Sequence, residues 1–373
     1  YSGRVVRLGG DIDLRSATWT PIGYRSGSID HRFRGTFDGD GHTVSGLLVS
    51  GGNYVGLFGQ ANYATIENLT VAGSVTAGSS SGGIVGYAEN TDIINCVNNA
   101  TVSGGGNYVG GVVGRLRSFG AFGVQGCVNN AAIHSIGGWI GGVAGYATRV
   151  VACVNHGAVS GGTNSQTSYP MGGVMGGADS TQSTYVIDRC YNTGAVTCDS
   201  LLAGGITGTV RSATLTNCYN RGTVTSANTA GSIGTPALAG GVVGSILSTS
   251  ISGCYNAATV QHSGGSGTYT VGEVYAAATS STATNNYSST DTFTVADLGG
   301  AYVDDTGAIN DGYPVLDWQV AAPSVHTITF DTTDTVAVRD GSDQAVGDSG
   351  TPGVYNLAAG TYSYTTSGGS KGS

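Results

Sequence analysis

An internal repeat built on a Gly-Gly pair restricts the folds that this chain can adopt. Full copies of the pair begin at residues 82, 110, 141, 172, 204 and 240, so successive copies are 28 to 36 residues apart. Two weaker copies, at 55–59 and 271–274, have one glycine where the full copies have two. A period of this length is typical of solenoids, propellers and arrays, in which each copy buries its apolar face against its neighbours.

The second part of each copy is marked by a cysteine. An asparagine follows each of these cysteines two residues later, and a valine or isoleucine follows six residues later. The cysteines are Cys96, Cys127, Cys153, Cys190, Cys218 and Cys254. The asparagines are Asn98, Asn129, Asn155, Asn192, Asn220 and Asn256. The outermost copies keep the spacing with other residues, which are Leu69 and Val71 at the start and Asn286 and Ser288 at the end.

The apolar runs within the repeat predict strands. They are short, rich in β-branched residues and bounded by Gly, Asn, Ser and Thr, which is typical of strands and turns. The 66 glycines also disfavour helical repeats, because glycine in a helix interior costs about 1 kcal/mol relative to alanine. We therefore predict an all-β fold, a parallel β-helix or β-solenoid of about eight coils.

Stacking of the coils assigns a role to each repeated position. Equivalent residues should form ladders along the solenoid. We expect the Val, Ile and Cys positions to point into a narrow apolar core, where the cysteines are buried free thiols. The recurring asparagine is expected at a turn, with left-handed backbone and a hydrogen bond to its equivalent in the next coil. The odd cysteine, Cys198, lies close enough to Cys190 in sequence to leave a local disulfide open.

The two ends of the chain depart from the repeat. Residues 1–50 are predicted to form an N-terminal cap and first coil, because the open edge of a solenoid has to be covered. The solenoid repeats fill 51–290, and 291–323 is predicted to be a C-terminal cap over the last coil. The lid residues of that cap are Tyr313, Leu316 and Trp318. Residues 324–373 are predicted to form a small antiparallel β module that could be truncated.

Charge and composition exclude some classes of partner. The formal net charge is −9, the single lysine is Lys371, and the arginines form no basic stripe, so we expect no nucleic-acid binding. No apolar run approaches the length of a membrane-spanning helix, and no signal peptide is recognisable. Because the chain begins at Tyr1, we interpret it as a mature product or an excised fragment of a larger protein.

The repeat resembles a known motif. The segment Gly-Gly-Ile-Val-Gly at 82–86, followed by Asn-Cys-Val-Asn-Asn-Ala-Thr-Val at 95–102, is similar to the GLUG repeat of bacterial surface proteins. That family includes cell-wall adhesins and the N-terminal regions of secreted immunoglobulin A1 metallopeptidases. The resemblance covers residues 8–323 and implies an extracellular bacterial setting. The repeat is not a catalytic signature, and the His-Glu-x-x-His motif of zinc proteases does not occur in the sequence.

We predict no catalytic site. Lyases and glycosidases built on β-helices need clustered carboxylates, but residues 100–270 contain only Asp179, Asp188 and Asp199. The segment 38–42, Asp-Gly-Asp-Gly-His, has the composition of a Ca²⁺ or acid–base site, yet Asp-Gly is also a turn dipeptide, and we favour the turn.

We also predict no metal site and no cofactor. Cys153 and His156 have the residue types of a nucleophile and its base. However, Cys153 occupies the ladder position, which favours an inert core thiol. The six histidines are scattered without the spacing of metal ligands.

Aromatic residues precede the Gly-Gly position in several copies. They are Tyr54, Tyr108, Trp139, Tyr169 and Tyr269. Exposed aromatic rings can stack on sugars, whereas the alternative is that they shield strand edges or fill gaps. We assign Tyr108, Trp139 and Tyr169 as candidate ligand-binding residues.

The sequence therefore predicts a non-catalytic extracellular bacterial surface protein. It would act as an adhesin or a stalk and present its solenoid surface to a host or microbial surface glycan or protein. One alternative is a carbohydrate-active β-helix enzyme, a lyase or glycosidase, whose carboxylates would cluster only in space. Another alternative is the targeting module of a secreted protease.

Overall fold

The computed structural model describes residues 3–26, 29–162, 169–178, 185–228, 236–264 and 268–320, together with the backbone of six strands between 326 and 372. The chain divides into two compact units, Tyr1–Tyr302 and Val303–Ser373. The all-β prediction is confirmed, since the only helices in the described residues are the α-helix Val295–Leu298 and the 3₁₀ helix Asp317–Gln319.

The first unit is a parallel β-solenoid, as predicted. Successive turns of its chain stack on one another, and we number them as rungs in chain order. The rungs that the structure describes are rung 1 (5–18), rung 2 (22–50), rung 3 (55–77), rung 4 (81–104), rung 5 (109–135), rung 6 (140–161), rung 7 (170–198), rung 8 (202–226), rung 9 (237–262) and rung 10 (269–288). Rungs 3 to 10 correspond to the coils expected from the repeat.

Each complete rung contributes strands to three parallel sheets. In the described part of the chain, the strands of sheet 1 are Val5–Arg7, Phe33–Asp38, Phe58–Glu67, Val85–Glu89, Asp92–Ile94, Val113–Arg117, Val124–Gln125, Ala144–Tyr146, Arg149–Val151, Met175–Ala178, Tyr185–Asp188, Thr207–Arg211, Ala213–Thr216, Val243–Leu247, Ser250–Ser252, Tyr275–Thr279 and Thr282–Thr284. Those of sheet 2 are Ile12–Asp13, Thr43–Ser50, Thr70–Ala77, Val97–Gly104, Val128–Asn129, Ile133–Ser135, Val154–Asn155, Val159–Gly161, Tyr191–Asn192, Val196–Cys198, Tyr219–Asn220, Val224–Ser226, Tyr255–Asn256, Val260–His262 and Tyr287–Ser288. Those of sheet 3 are Ser81–Gly82, Val109–Gly110, Ile140–Gly141, Pro170–Gly172, Leu202–Gly204, Ala237–Gly240 and Tyr269–Gly272.

The sheets pair the same repeat position in successive rungs. Asn98 of rung 4 pairs with Asn129 of rung 5, and Gly110 of rung 5 pairs with Gly141 of rung 6. Register is strongly specified wherever one face of a strand is buried, because a slip of one residue would turn every side chain to the opposite face. The regular spacing in the sequence is therefore what builds the side-chain ladders.

The interior of the solenoid is a column of aliphatic side chains and thiols. In rung 4, Ile84, Cys96 and Val102 are fully buried. All seven cysteines are free and buried, and the disulfide between Cys190 and Cys198 that the sequence left open is absent from the structure. Burial disfavours the charged thiolate and raises the pKa of Cys198 to about 12.

The asparagine ladder lies inside the solenoid. We expected each asparagine at a turn, but Asn129 lies in the sheet 2 strand Val128–Asn129 and is fully buried. Each side chain donates from Nδ2 to Oδ1 of the asparagine in the next rung. The distances are 2.7 Å from Asn98 to Asn129, 2.7 Å from Asn129 to Asn155, 2.7 Å from Asn155 to Asn192, 2.8 Å from Asn192 to Asn220 and 2.8 Å from Asn220 to Asn256.

The left-handed corner falls at a different position, one residue before the cysteine. Positive φ angles are found in every repeat at this corner between sheets 1 and 2. The residues are Asn68, Asn95, Gly126, Ala152, Arg189, Asn217, Gly253 and Asn285, with φ between 50° and 63°. Asparagine and glycine are the residues that adopt this conformation at least cost. The expectation that Asn98 and its equivalents in the other repeats lie at the bend is therefore wrong.

The N-terminal segment continues the solenoid. Val5–Arg7 pairs in parallel with Phe33–Asp38, and Ile12–Asp13 pairs in parallel with Thr43–Ser50. The first fifty residues thus add rungs 1 and 2 to the same sheets. A two-stranded antiparallel sheet, Arg25–Ser26 with Ile29–Asp30, projects from rung 2.

The second unit contains the small antiparallel sheets that the sequence predicted. The strand Tyr302–Val303 spans the boundary between the units, and Val315–Leu316 follows it within the second unit. His326–Thr329 pairs with Val354–Leu357. A four-stranded antiparallel sheet contains Ala345–Val346, Val336–Asp340, Tyr362–Thr366 and Lys371–Gly372.

Candidate functional site

The three predicted ligand-binding aromatics come together in one row. Tyr108, Trp139 and Tyr169 lie directly before the sheet 3 strands that begin rungs 5, 6 and 7. The Tyr108 and Trp139 rings are stacked with centroids 5.1 Å apart, and the Trp139 and Tyr169 centroids are 5.4 Å apart. All three side chains are half-buried. We call them the aromatic row.

The row stands on a strained corner of the backbone. Tyr54, Tyr108 and Trp139 have φ angles of 59°, 65° and 55°. Left-handed backbone costs a non-glycine residue about 1–2 kcal/mol, and bulky residues rarely adopt it. Such strain persists where the surrounding structure holds it and is concentrated at functional sites. The same corner, which Ser80 holds before rung 4 with a φ angle of 55°, therefore presents an aromatic ring before rungs 3, 5 and 6 at an energetic cost.

A second set of aromatic residues borders the row and was missed by the sequence reasoning. Tyr87 and Tyr146 project from sheet 1, and Tyr185 is fully buried beside Tyr146. Tyr87 packs edge-on against Tyr54 with centroids 5.7 Å apart, and Tyr146 packs edge-on against Tyr108 at 6.1 Å. The Tyr146 and Tyr185 hydroxyls are 2.6 Å apart.

A sequence signal for this second set was available. The residue directly after the last glycine of the Gly-Gly-x-x-Gly motif points outward from sheet 1. It is Gln60, Tyr87, Arg115 and Tyr146 in rungs 3 to 6 and a small residue in the later rungs. Long polar and aromatic side chains at this position are thus confined to one end of the repeat array.

Arg115 lies between the two sets of rings. Its guanidinium carbon is 4.4 Å from the centroid of the Tyr108 ring and 5.6 Å from that of Tyr146. At these distances the positive guanidinium group is attracted electrostatically to the negative face of an aromatic ring. The Nε atom is buried and has no hydrogen-bond acceptor among the described residues, in which Arg115 also has no ion pair.

A groove of about 420 Å³ opens beside Arg115. Its lining residues come from the hairpin of rung 2 and from rungs 2 to 5, and they are Arg25, Arg32, Tyr54, Gln60, Tyr87, Glu89 and Arg115. Three of these are cations and one is a carboxylate, so the lining is positive although the chain carries a net charge of −9. This volume is within the range of about 300–1,000 Å³ that is usual for small-molecule sites.

One of the three arginines of the groove is fully engaged. Arg32 donates to Glu89 Oε2 at 2.6 Å and to Asp30 at 2.8 and 2.9 Å, with its side chain only 10% exposed. The Arg32 guanidinium holds the pKa of Asp30 well below its usual range. Burial raises the pKa of Tyr87 above its ordinary value. These groups build the wall of the groove.

The acidic residues considered above as candidate catalytic groups form hydrogen bonds and ion pairs at corners of the solenoid. Asp188 accepts from Thr216 Oγ1 at 2.8 Å and Asn217 Nδ2 at 2.9 Å. Asp38 accepts from Asn68 Nδ2 at 3.1 Å and forms an ion pair with Arg7 at 3.2 Å. Asp179 lies outside the described residues.

The Cys–His pair and the metal-ligating residues are also dispersed. Cys153 is fully buried and its thiol donates to the Val151 carbonyl at 3.2 Å, whereas His156 Nδ1 lies 2.8 Å from Thr193 Oγ1. Burial lowers the pKa of His156. Among the described residues, no three His, Cys, Asp or Glu side chains are grouped so that they could hold a metal ion.

The helices that the structure describes are all too short and too polar to span a bilayer.

Comparison with known proteins places a family motif on one rung. The family profile described as the GLUG motif matches residues 77–103. Halomucin of Haloquadratum walsbyi (strain DSM 16790 / HBSQ001) is 40% identical over 88 residues, which are 23% of this chain and 1% of halomucin. No solved structure matches the chain. Residues 77–103, which include most of rung 4 and the corner before it, match the GLUG motif, and the neighbouring rungs repeat the pattern of that one.

Proposed function

We propose that this chain is a non-catalytic, surface-associated repeat protein that binds glycans through the aromatic row. The observation that carries the proposal is the row itself, in which Tyr108, Trp139 and Tyr169 present partly exposed rings in three consecutive rungs. Aromatic faces of this kind suit the apolar faces of sugar rings. The GLUG motif and the similarity to halomucin support a surface setting. We therefore also propose that the protein is extracellular.

The architecture supports a binding role at a rigid surface. Trp139 stands on a backbone that is paired on both sides within sheet 3, since its neighbour Ile140 pairs with Met171 and with Val109. Rings held in place lose little conformational freedom when a ligand binds. A row along the solenoid axis also suits an extended polymer, because consecutive sugars can contact consecutive rungs.

The test is binding of the purified chain to an array of host and microbial glycans. We expect reproducible binding that is lost in Trp139→Ala and in Tyr108→Ala. Tyr269→Ala is the matched control, because Tyr269 is an exposed tyrosine at the start of a sheet 3 strand, but lies in rung 10 and stacks on His262 outside the row. Circular dichroism of each variant checks that the solenoid remains folded.

Two outcomes would contradict the proposal. Equal loss of binding in Tyr269→Ala and Trp139→Ala would place the binding surface elsewhere. A folded wild-type chain that binds no glycan on the array would favour a stalk or a protein-binding role instead.

A further inference from the structure

We propose that the groove beside Arg115 binds the anionic group, a carboxylate or sulfate, of an acidic saccharide. This inference rests on the proposed function and specifies the class of ligand. It starts from Arg115, whose guanidinium contacts aromatic faces but has no acceptor among the described residues. A buried or half-buried guanidinium group is costly unless its donors are paired. Arg115 lines the groove, so its guanidinium group is placed to donate to an anion there.

The charge of the lining selects the same class of ligand. Arg32 uses its donors on Asp30 and Glu89, so it shapes the groove and leaves little capacity for a ligand. Arg25 and Arg115 have no ion pair in the described part of the chain. Planar guanidinium groups bind carboxylate and related oxyanions through paired N–H donors. Two such groups in one groove provide a positive site on a chain that is otherwise acidic.

The remaining walls of the groove suit the rest of a sugar. Tyr54 is 45% exposed and packs edge-on against Tyr87, so the two rings provide apolar surface at right angles. The side chain of Gln60 adds an amide that can bond hydroxyl groups. Aromatic surface with a few placed polar groups is the usual composition of a small-molecule site.

The position of Arg115 in the repeat argues against a purely structural role. Its equivalents in the rungs on either side are Tyr87 and Tyr146, which pair with it in sheet 1. In later rungs the equivalent position holds Thr209 and Ser245. The solenoid forms at this position without an arginine, so rung 5 departs from the repeat at the point where the groove opens.

The continuity of the groove with the aromatic row supports a single saccharide-binding surface. Tyr108 contacts Arg115 and also stacks on Trp139. A sugar chain that lies along the row would thus reach the groove with its acidic residue. We expect neutral sugars to contact the row and the anionic group to contact Arg115.

The test compares three oligosaccharides by isothermal titration calorimetry: trigalacturonate, its methyl ester, and a heparin-derived tetrasaccharide. We expect tighter binding of at least one of the two acidic probes than of the neutral ester. Arg115→Gln should weaken binding of that acidic probe about 10- to 100-fold, the loss associated with a hydrogen bond to a charged group. Arg115→Lys should be intermediate, because it keeps the charge and loses the paired donors.

The matched control is Arg149→Gln. Arg149 is also a half-buried arginine of sheet 1, but it lies in rung 6 and does not line the groove. Its substitution should leave binding of all three probes unchanged. The pattern across the acidic probes identifies the anionic group, since preference for trigalacturonate indicates a carboxylate and preference for the heparin fragment indicates a sulfate.

Failure of this inference is distinguishable from failure of the proposed function. Suppose that a glycan binds and that its binding is lost in Trp139→Ala, but that Arg115→Gln leaves the affinity for the acidic probes unchanged. The groove assignment is then wrong, and the proposal for the aromatic row stands. If no probe binds and the glycan array is also empty, both are wrong. Equal weakening by Arg149→Gln and Arg115→Gln would show a general effect of charge and would overturn the groove assignment.

Discussion

Buried amides are stable in this apolar interior because each one is fully hydrogen-bonded. Asn192 donates to Asn220 Oδ1 and to the Gly194 carbonyl, both at 2.8 Å, and accepts from Asn155 Nδ2 at 2.7 Å. A side-chain amide therefore joins neighbouring rungs and closes the local bend at the same time. A polar ladder of this kind is favourable only while every member is satisfied.

Removal of one amide from the ladder should destabilise the solenoid strongly. Asn192→Ala leaves donors and acceptors of the rungs on both sides without partners, and we expect a loss of about 3 kcal/mol or more in the free energy of unfolding. Urea unfolding followed by circular dichroism measures this change. Asn130→Ala is the matched control, because Asn130 also bonds an equivalent asparagine, Asn99, at 2.9 Å but on the exposed face. A similar loss in both variants would contradict the argument.

The thiol ladder predicts unreactive cysteines. Burial raises the pKa of Cys127, Cys190 and Cys218 above the ordinary thiol value, and reactivity requires the exposed thiolate. Iodoacetamide at pH 8 should therefore label none of the seven cysteines in the folded chain and all seven in concentrated urea. Mass spectrometry counts the modified sites, and rapid labelling of Cys198 in the folded chain would show that its position is open to solvent.

At the scale of elements, the Gly-Gly pair of sheet 3 and the asparagine of sheet 2 are one packing unit. The second glycine of the pair lies directly against the asparagine amide of its own rung and the carbonyl group of the next rung. For Gly173 these neighbours are Asn192 and Gly205. The two halves of the sequence motif are thus linked across the interior, which explains why they recur together.

A methyl group at this contact should disrupt the stacking of rungs. Gly173→Ala would place Cβ within the space of the Asn192 amide and the Gly205 carbonyl, and we expect destabilisation at or above the usual overpacking cost of about 1–3 kcal/mol. Gly10→Ala is the control, because a Cβ at Gly10 meets nothing within 4 Å. Thermal unfolding measures both variants, and equal melting temperatures would refute the close contact.

The left-handed corner before each cysteine offers a stabilising substitution. Ala152 holds φ at 50°, whereas the same corner in rung 4 is occupied by Asn95 at 51°. Asparagine adopts this region more readily than alanine, so Ala152→Asn should stabilise the chain by roughly 0.5–1 kcal/mol. The reciprocal change, Asn95→Ala, should destabilise it by a similar amount. Shifts of the urea midpoint in the same direction for both would contradict the assignment of strain.

For the molecule as a whole, ion pairs near the groove connect rungs that are distant in sequence. Arg32 of rung 2 bonds Glu89 of rung 4 and Asp30 of the projecting hairpin. These contacts join the hairpin and the second rung to the fourth rung in one wall. The electrostatics of the wall should therefore depend on pH in a defined window.

Acid should weaken this wall before it weakens the ladders. The folded-state pKa of Asp30 is lowered by Arg32, so its contribution to stability is complete above the unfolded value of about 4 and is lost as the pH falls from there toward the lower folded value. Wild type should therefore exceed Asp30→Asn in stability at pH 7 and lose that advantage progressively below pH 4. Urea unfolding across this range measures the difference, and a difference that stays constant down to pH 2 would refute the ion pair.

The sequence by itself determined the fold class, the stacking and the ladders of this protein. A repeat of 28 to 36 residues with buried positions at constant spacing has one register in which Cys96, Asn98 and Val102 meet their equivalents. It also indicated part of the aromatic row, since Tyr108 and Trp139 share one repeat position, whereas Tyr169 lies one residue before Pro170, which holds that position in rung 7. These features follow from spacing alone, because stacking in register converts equal sequence positions into neighbours in space.

Only the tertiary structure decided where the chain turns, how far the solenoid extends and which side chains form the groove. The bend falls one residue before each cysteine because the asparagine amide is needed inside, against the Gly-Gly pair. The first fifty residues lack the motif, yet they pair in parallel and add rungs. The groove joins Arg25 and Tyr54 to Tyr87 and Arg115, which share one repeat position in neighbouring rungs. The proximity of Arg25 and Tyr54 to that pair depends on the shape of the corners and on the hairpin, and no periodic pattern in the sequence encodes it.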